Sequence, residues 1–304
     1  MLELTAIILT GNEELHIKRC LDRISPIVKE IFIIDCYSKD RTIEIARQYE
    51  NVSILQNKWV NYATQFNWAL ENAPIRTKWV LRLDADEYLS EELVGELQEK
   101  LPYLDSKYTG IVVPLQRVFM GKNINHGIAR GIKMLRIFQF GKARSEVRMM
   151  DEHIELIEGE IIEFIHSFSD DNLNDLSWWT QKHIGYAIRE AVDLLDIEYN
   201  LTGSAGHIDV SKIDTQALNK RRKKHSYAAK PLFWRSFAYF IYRYFIKGGF
   251  RDFFQGLWYR SFVDAKVYEI KKACGLQSVR GNSLNEEQLN TLKSYLRAKY
   301  CIEI

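Results

Sequence analysis

Two phosphate-binding signatures are missing from this chain. No G-x-G-x-x-G follows the first apolar run, and no G-x-x-x-x-G-K-[ST] occurs anywhere. Dinucleotide and P-loop readings therefore lack their glycine cradles. Cysteine is scarce and scattered: Cys20, Cys36, Cys274 and Cys301 form no C-x-x-C. That excludes a zinc ribbon or a disulfide framework and favours a reducing, cytosolic setting. No run reaches the roughly 18 uncharged apolar residues of a membrane span. The opening "MLELTAIILT" has an acidic third residue and too short an apolar run for a signal peptide. A soluble or surface-attached protein is expected. The net charge is only +2, which excludes the bulk electrostatics of a nucleic-acid binder. What remains is an ordinary globular composition: 304 residues, 46% of them hydrophobic, enough for one large domain or two small ones.

The first hundred residues alternate strand and helix. "LTAIILT" (4–10) is a continuous apolar, β-branched run ending in the polar turn "GNEE". Such a run suits a strand buried on both faces. Ile17, Cys20, Leu21 and Ile24 then fall at helical spacing until Ser25-Pro26. "EIFIID" (30–35) is a second strand. A helix opens through Ile43, Ile45 and Ala46, and "NVSIL" (51–55) is a third strand. A helix through Phe66, Ala69 and Leu70 leads to "TKWVLRLDAD" (77–86). Units of this length predict an α/β domain with a mainly parallel central sheet.

Polar groups collect where these strands end: Asn12 and Glu13, Asp35, Ser38 and Asp40, then Asp84 and Asp86. Ligands of open α/β sheets bind at that edge. Helix capping accounts for Ser38, Asp40 and Ser90. It accounts poorly for an acid-x-acid at the end of an apolar strand. Side chains two apart on an extended chain point the same way, so Asp84 and Asp86 can reach one cation, with Glu87 directed elsewhere and structural. Mg²⁺ or Mn²⁺ is commonly held by one or two carboxylates and completes its shell with phosphate and water.

"ILTGNEE", "IIDCYSKDRT", "QFNWAL" and "WVLRLDADEYL", in this order and spacing, resemble the family 2 glycosyltransferases with a GT-A fold. The branch most resembled builds bacterial lipopolysaccharide cores, capsules and exopolysaccharides. "RIFQFGKARSEVRMMDEHIEL", "IHSFS" and "YRYFIKGGFRDFFQGLWYRSFVDAKVYE" extend the resemblance over most of the chain. It implies an inverting, metal-dependent transferase that moves a sugar from a nucleotide, most often UDP, to a hydroxyl of an oligosaccharide or glycolipid acceptor. By position, Thr10, Asn12, Glu13, Asp35, Ser38, Gln65 and Asp84 would bind the nucleotide-sugar. Asp86, with Asp84, would hold the metal bridging the diphosphate.

Inversion in a single displacement needs a general base opposite the leaving group. "MMDEHIE" (149–155) offers Asp151 and Glu152. Related sequences show a His-Glu pair here. Aligning on the glutamate makes Glu152 the base and puts Asp151 in the histidine position, so the choice between them stays open. The resemblance makes His166 in "EFIHSFS" a third metal ligand. A lone histidine after an apolar run is otherwise a hydrogen-bonded core residue. His126 in the glycine-rich "NINHGIARG" borders the acceptor side without an assigned role.

From Lys220 to Arg251 there are ten Lys or Arg and no Asp or Glu. A helix after Pro231 would align Phe233, Phe237, Phe240 and Tyr244 on one face and Arg235, Tyr239, Arg243 and Lys247 on another. Basic and aromatic residues together on an amphipathic helix suit an anionic membrane interface. Packing against the rest of the chain or a second copy is the alternative use of those apolar faces. Ser283, with Glu286 three residues on, reads as the cap of a terminal helix. The expected organisation is a catalytic domain over 1–215 and a basic, aromatic helical region over 216–304, peripheral on the cytosolic face of the inner membrane. The rivals are a non-catalytic nucleotide-sugar-binding scaffold and a sugar nucleotidyltransferase. The latter needs a glycine-rich basic loop that "TGNEEL" does not supply.

Overall fold

The computed structural model describes residues 1–127, 131–146, 153–199, 226–227, 229–252, 256–276 and 284–302. They fall into two compact units, Met1–Asn174 and Asp175–Ile304. The boundary expected at residue 215 lies outside the described residues.

In the first unit, β1 (Leu2–Thr10), β2 (Val28–Asp35), β3 (Val52–Gln56) and β4 (Trp79–Asp84) pair in parallel in the order β3-β2-β1-β4. The sheet continues antiparallel through β8 (Lys133–Gln139) to the long β6 (Tyr108–Phe119). Parallel pairing then adds β12 (Phe168–Asp171), whose outer neighbour is the antiparallel β5 (Glu87–Leu89). Strands β7 (Lys122–Ile124) and β11 (Glu160–Glu163) also pair with β6, and β9 (Ala143–Ser145) pairs with β10 (Ile154–Leu156). The result is a mixed α/β unit with a largely parallel central sheet.

The continuous apolar strands are explained by cover on both faces. Ala6 and Ile8 of β1, Ile31 and Ile33 of β2 and Leu81 and Leu83 of β4 bury on one side. They meet Ile17, Leu21 and Ile24 of α1 (Ile17–Ile24) and Leu93 and Leu97 of α4 (Glu91–Lys100). Ile7, Leu9, Phe32, Ile34 and Val80 alternate to the other side against Phe66 and Ala69 of α3 (Tyr62–Asn72). Each Ile, Leu, Val or Phe among them, fully buried, contributes about 1.5–3 kcal/mol. Strand and helix junctions carry side-chain caps: Asn61 accepts from Thr64 N–H, and Ser90 from Leu93 N–H. Asp40 accepts from the Thr42 N–H and hydroxyl at the start of α2 (Thr42–Ala46).

The second unit is helical among its described residues. Ala187, Ala191 and Leu195 of α5 (Leu176–Tyr199) pack with Val263, Val267 and Ile270 of α7 (Gly256–Ala273) and with Leu292 and Leu296 of α8 (Glu286–Tyr300). Lys271 Nζ donates to Glu198 (2.5 Å), joining α7 to α5, and Lys299 Nζ donates to Glu269 (2.7 Å), joining α8 to α7. The α8 cap sits two residues later than expected. Asn285 accepts from Gln288 N–H, and Gln288 Oε1 accepts from Asn285 N–H. A reciprocal pair at this spacing satisfies two of the otherwise unpaired amides, and Gln closes it as well as Glu. Ser283 lies outside the described residues. No helix among the described residues is long and apolar enough to cross a membrane.

Candidate active site

The ends of β1 and β2 meet edge to edge. Asp35, fully buried, accepts Thr10 Oγ1 (3.1 Å) and Ser38 Oγ (2.5 Å) on Oδ1. Its Oδ2 accepts Ser38 N–H (2.9 Å) and Gln56 Nε2 (3.4 Å). Ser38 Oγ in turn accepts Asn12 N–H (2.8 Å), and Asn12 Oδ1 accepts Lys39 N–H (2.8 Å). The two loops approach so closely that a Cβ on Gly11 would stand 2.5 Å from Cys36 Sγ. Asn12 (φ 59°) and Tyr37 (φ 62°) are both left-handed, a conformation that asparagine tolerates and that strains tyrosine. Such outliers cluster at functional edges. Gln65, also buried, exchanges hydrogen bonds with Asn57. Asp35 and Gln65 thus shape the edge from behind, while Asn12 and Ser38 lie on it.

The D-A-D turn follows β4. Its frame is Glu87, a buried carboxylate whose Oε2 accepts Asp84 N–H (2.9 Å) and whose Oε1 accepts Arg136 Nη2 (2.5 Å). Burial pushes Glu87 upward, and the Arg136 guanidinium opposes that shift. Glu87 is structural, as its alternation on the chain predicts. Asp84 keeps one buried carboxylate oxygen, Oδ1, without a hydrogen-bond partner. Asp86 Oδ2 accepts Asn172 Nδ2 (3.0 Å). The Asn172 amide cannot flip without loss, because its Oδ1 already accepts Asn174 N–H and Nδ2, both at 3.1 Å.

The neighbour of this turn is the far end of β12. Asp171 N–H donates to the Asp86 carbonyl (3.1 Å). Arg19 of α1 holds that junction: Nη1 donates to Asp171 Oδ2 (2.6 Å), Nη2 donates to the Asp171 carbonyl, and the guanidinium lies 4.7 Å from the centre of the Tyr88 ring. Buried His16 adds a second tie. Leu173 N–H donates to His16 Nε2 (2.9 Å), which leaves the ring proton on Nδ1, facing Glu13 Oε2 at 2.7 Å. Asp170 is pushed up to about 6, first by desolvation and then by Asp86, with Arg117 opposing. At Asp170, burial and the Asp86 charge together outweigh Arg117.

His166 does not stand beside this turn. Its backbone N–H donates to Glu96 Oε2 (3.1 Å) on α4, and Ser167 O accepts Ser90 N–H. It lies in a bend before β12, whereas Asp171 at the far end of that strand is the residue that meets Asp86. Among the described residues no cluster of three or more His, Cys, Asp or Glu is arranged to hold a metal. A two-carboxylate site nevertheless suits a divalent cation that takes its remaining ligands from phosphate and water, and the unpartnered Asp84 Oδ1 is consistent with one. Asp151 and Glu152 lie outside the described residues. His126 lines a cavity of about 420 Å³ with Gln116, Asn125, Ile132 and Ser167. Arg19, His16, Asp171 and Asn172 are absent from the sequence reading. The signal for the last two was "SDDN" (169–172), acids at the end of a short strand, as in "DAD".

Residues 5–153 match the model of a family described as glycosyl transferase family 2. A protein of Rickettsia typhi named as an uncharacterized glycosyltransferase is 24% identical over 320 residues, spanning 100% of this chain and 95% of its own. The prophage-derived glycosyltransferase SunS of Bacillus subtilis is 32% identical over 96 residues, which is 31% of this chain and 22% of that one. The crystal structure of S. aureus TarS 1–349 superposes with a TM-score of 0.41 at 13% identity, covering 98% of this chain and 92% of the other.

Proposed function

The chain carries a glycosyltransferase family 2 domain and is a glycosyltransferase, and on that premise we propose that it is inverting and metal-dependent. The donor is a nucleotide-sugar, with UDP favoured, and the acceptor is a hydroxyl of a lipid-linked or lipopolysaccharide-core oligosaccharide. The observation that carries this reading is the buried, unpartnered Asp84 Oδ1 beside Asp86, on the sheet edge that also carries Asn12 and Ser38.

Nucleotide binds along the β1–β2 edge, where Thr10, Asn12, Glu13 and Ser38 lie and Asp35 and Gln65 fix the loops. Asp84 and Asp86 would hold Mn²⁺ or Mg²⁺ beside the nucleotide. When bound, that ion stabilises charge growing on the leaving group. Asn172 and Arg19 keep the Asp86 carboxylate and its turn in place. Asp151 or Glu152 takes the proton of the acceptor hydroxyl. The cavity beside His126 and Ser167 receives the acceptor. Attachment to the cytosolic membrane face through the basic, aromatic region 220–251 brings the enzyme to a lipid-borne acceptor.

Thermal unfolding of wild type and Asp86→Ala, with UDP, GDP or no nucleotide and with or without Mn²⁺, tests the reading. A specific ligand at a hundred times its Kd adds about 2.7 kcal/mol. Stabilisation by UDP only with metal, abolished in Asp86→Ala, is the expected result. Stabilisation by GDP instead moves the donor. No shift under any condition overturns the donor-site assignment and leaves a scaffold.

A further inference from the structure

Helix α6 (Trp234–Ile241) is turned inside out. Its buried residues are Arg235 and Ser236, whereas Trp234 is 72% exposed and Phe237 more than half exposed. The cause lies in Asp264 of α7, a carboxylate with no exposure at all. Asp264 Oδ1 accepts Arg235 Nε (2.6 Å), and Oδ2 accepts Phe233 N–H (3.0 Å) and the Ser236 hydroxyl. Three donors from four consecutive residues fix the rotation of the helix about its axis. A helix whose cation is pulled inward in this way must direct its aromatic side chains to water.

The segment that follows carries further exposed apolar residues. A wide, π-type turn over Tyr242–Ile246 and a left-handed Gly248 carry the chain into Gly249–Arg251. Phe245 and Phe250 are more than half exposed, and Ile246 is 70% exposed. Cations stand over the rings: Arg243 over Tyr239 (5.6 Å), Lys247 over Tyr242 (5.5 Å) and Arg251 over Phe250 (5.7 Å). Five large apolar residues exposed within 17 positions of chain mark an interaction surface rather than ordinary scatter.

We propose that α6 and the turn after it form a membrane-seating ridge, in which Trp234, Phe237, Phe245, Ile246 and Phe250 enter the headgroup layer of an anionic bilayer while Arg243, Lys247 and Arg251 meet its phosphates. The proposal rests on the membrane attachment inferred above and names the residues that perform it. Charge complementarity selects the occupant. A second copy docking through the same face would bring two sets of these three cations into one interface. A nucleic acid would leave Ile246 and Phe237 without an apolar partner. A lipid interface takes aromatic rings and arginine or lysine at one depth.

The experiment is co-sedimentation of the full chain with vesicles of phosphatidylcholine alone and of phosphatidylcholine mixed with phosphatidylglycerol. The variants compared are wild type and Trp234→Ser/Ile246→Ser, both substituted at exposed positions. Wild type is expected to sediment with the anionic vesicles only, and the variant to lose at least tenfold in partitioning while its nucleotide-dependent thermal shift is unchanged. If wild type binds neither vesicle, membrane attachment itself fails. If the variant partitions like wild type, the basic residues alone bind and the ridge is overturned, with attachment left standing. If wild type is a dimer without vesicles and the variant a monomer, the face belongs to a second copy and the proposal falls.

Discussion

Each unit of the chain buries one carboxylate under one arginine, and the two pairs have opposite consequences. In the first unit Glu87 and Arg136 are both nearly inaccessible, and the spare carboxylate oxygen holds Asp84 N–H. The pair shapes the turn that carries Asp84 and Asp86. In the second unit Asp264 and Arg235 are buried as deeply, and the spare oxygen holds the first residues of α6. That pair rotates a helix so that its aromatic residues face outward. A buried ion pair is weak evidence for stability, because desolvation offsets most of the attraction. What these two pairs provide is orientation.

Removing one partner separates the two roles. Glu87→Ala and Asp264→Ala each strand a buried arginine and should cost about 3–5 kcal/mol in urea unfolding. Only Glu87→Ala should also abolish the nucleotide-dependent thermal shift. If Asp264→Ala abolishes it too, the two pairs do not serve separate ends. A smaller effect is expected at Asn172, which orients Asp86 without bearing charge. Asn172→Ala should raise the Mn²⁺ concentration needed for nucleotide stabilisation by about 10–100-fold, as loss of a group behind a metal ligand does. An unchanged requirement would remove Asn172 from the site.

The smallest effect concerns pH. The Asp170 carboxyl titrates at about 6 in the folded chain, above its ordinary value of 3.8. A carboxyl raised on folding favours the folded state while protonated, so its contribution is full below the ordinary value and is lost as pH rises through about 6. Its side chain is 39% exposed, so solvent screens much of the shift. Metal-free wild type should therefore lose stability between those two pH values relative to Asp170→Asn. Parallel profiles for the two proteins would show that the crowding of acids at this turn is not felt by Asp170.

The parallel half of the sheet was legible because its strands are buried on both faces and end in polar turns: Ile7 and Ile8 point to opposite layers, and both are inaccessible. The acids at 84 and 86 were legible for the same reason. Asp35 and Gln65 show the limit, since a polar residue at a strand end or on a helix can face the ligand or sit behind the loop, and only packing decides. His166 shows another. It is separated from the Asp86 turn by the length of β12, and the residues that do meet the turn belong to "SDDN", a strand too short to carry a periodic signal. After Pro231, helical spacing grouped Arg235 with Tyr239, Arg243 and Lys247 as one stripe. Asp264, 29 residues later, turned Arg235 inward. Partners that far apart in the chain leave no mark in local pattern.

Tyr37 carries a consequence of a different kind. Its side chain is 56% exposed, which for most residues means freedom to vary. Its backbone is left-handed, a conformation that costs an ordinary L-residue roughly 1–2 kcal/mol. Glycine, and to a lesser degree asparagine or aspartate, would relieve that cost, whereas valine, isoleucine or threonine would add to it. Glycine would also loosen the loop that Asn12 and Ser38 tie to the sheet edge. Accessibility and tolerance to replacement therefore part company at this position: a residue open to solvent just past the end of β2 is held by its backbone.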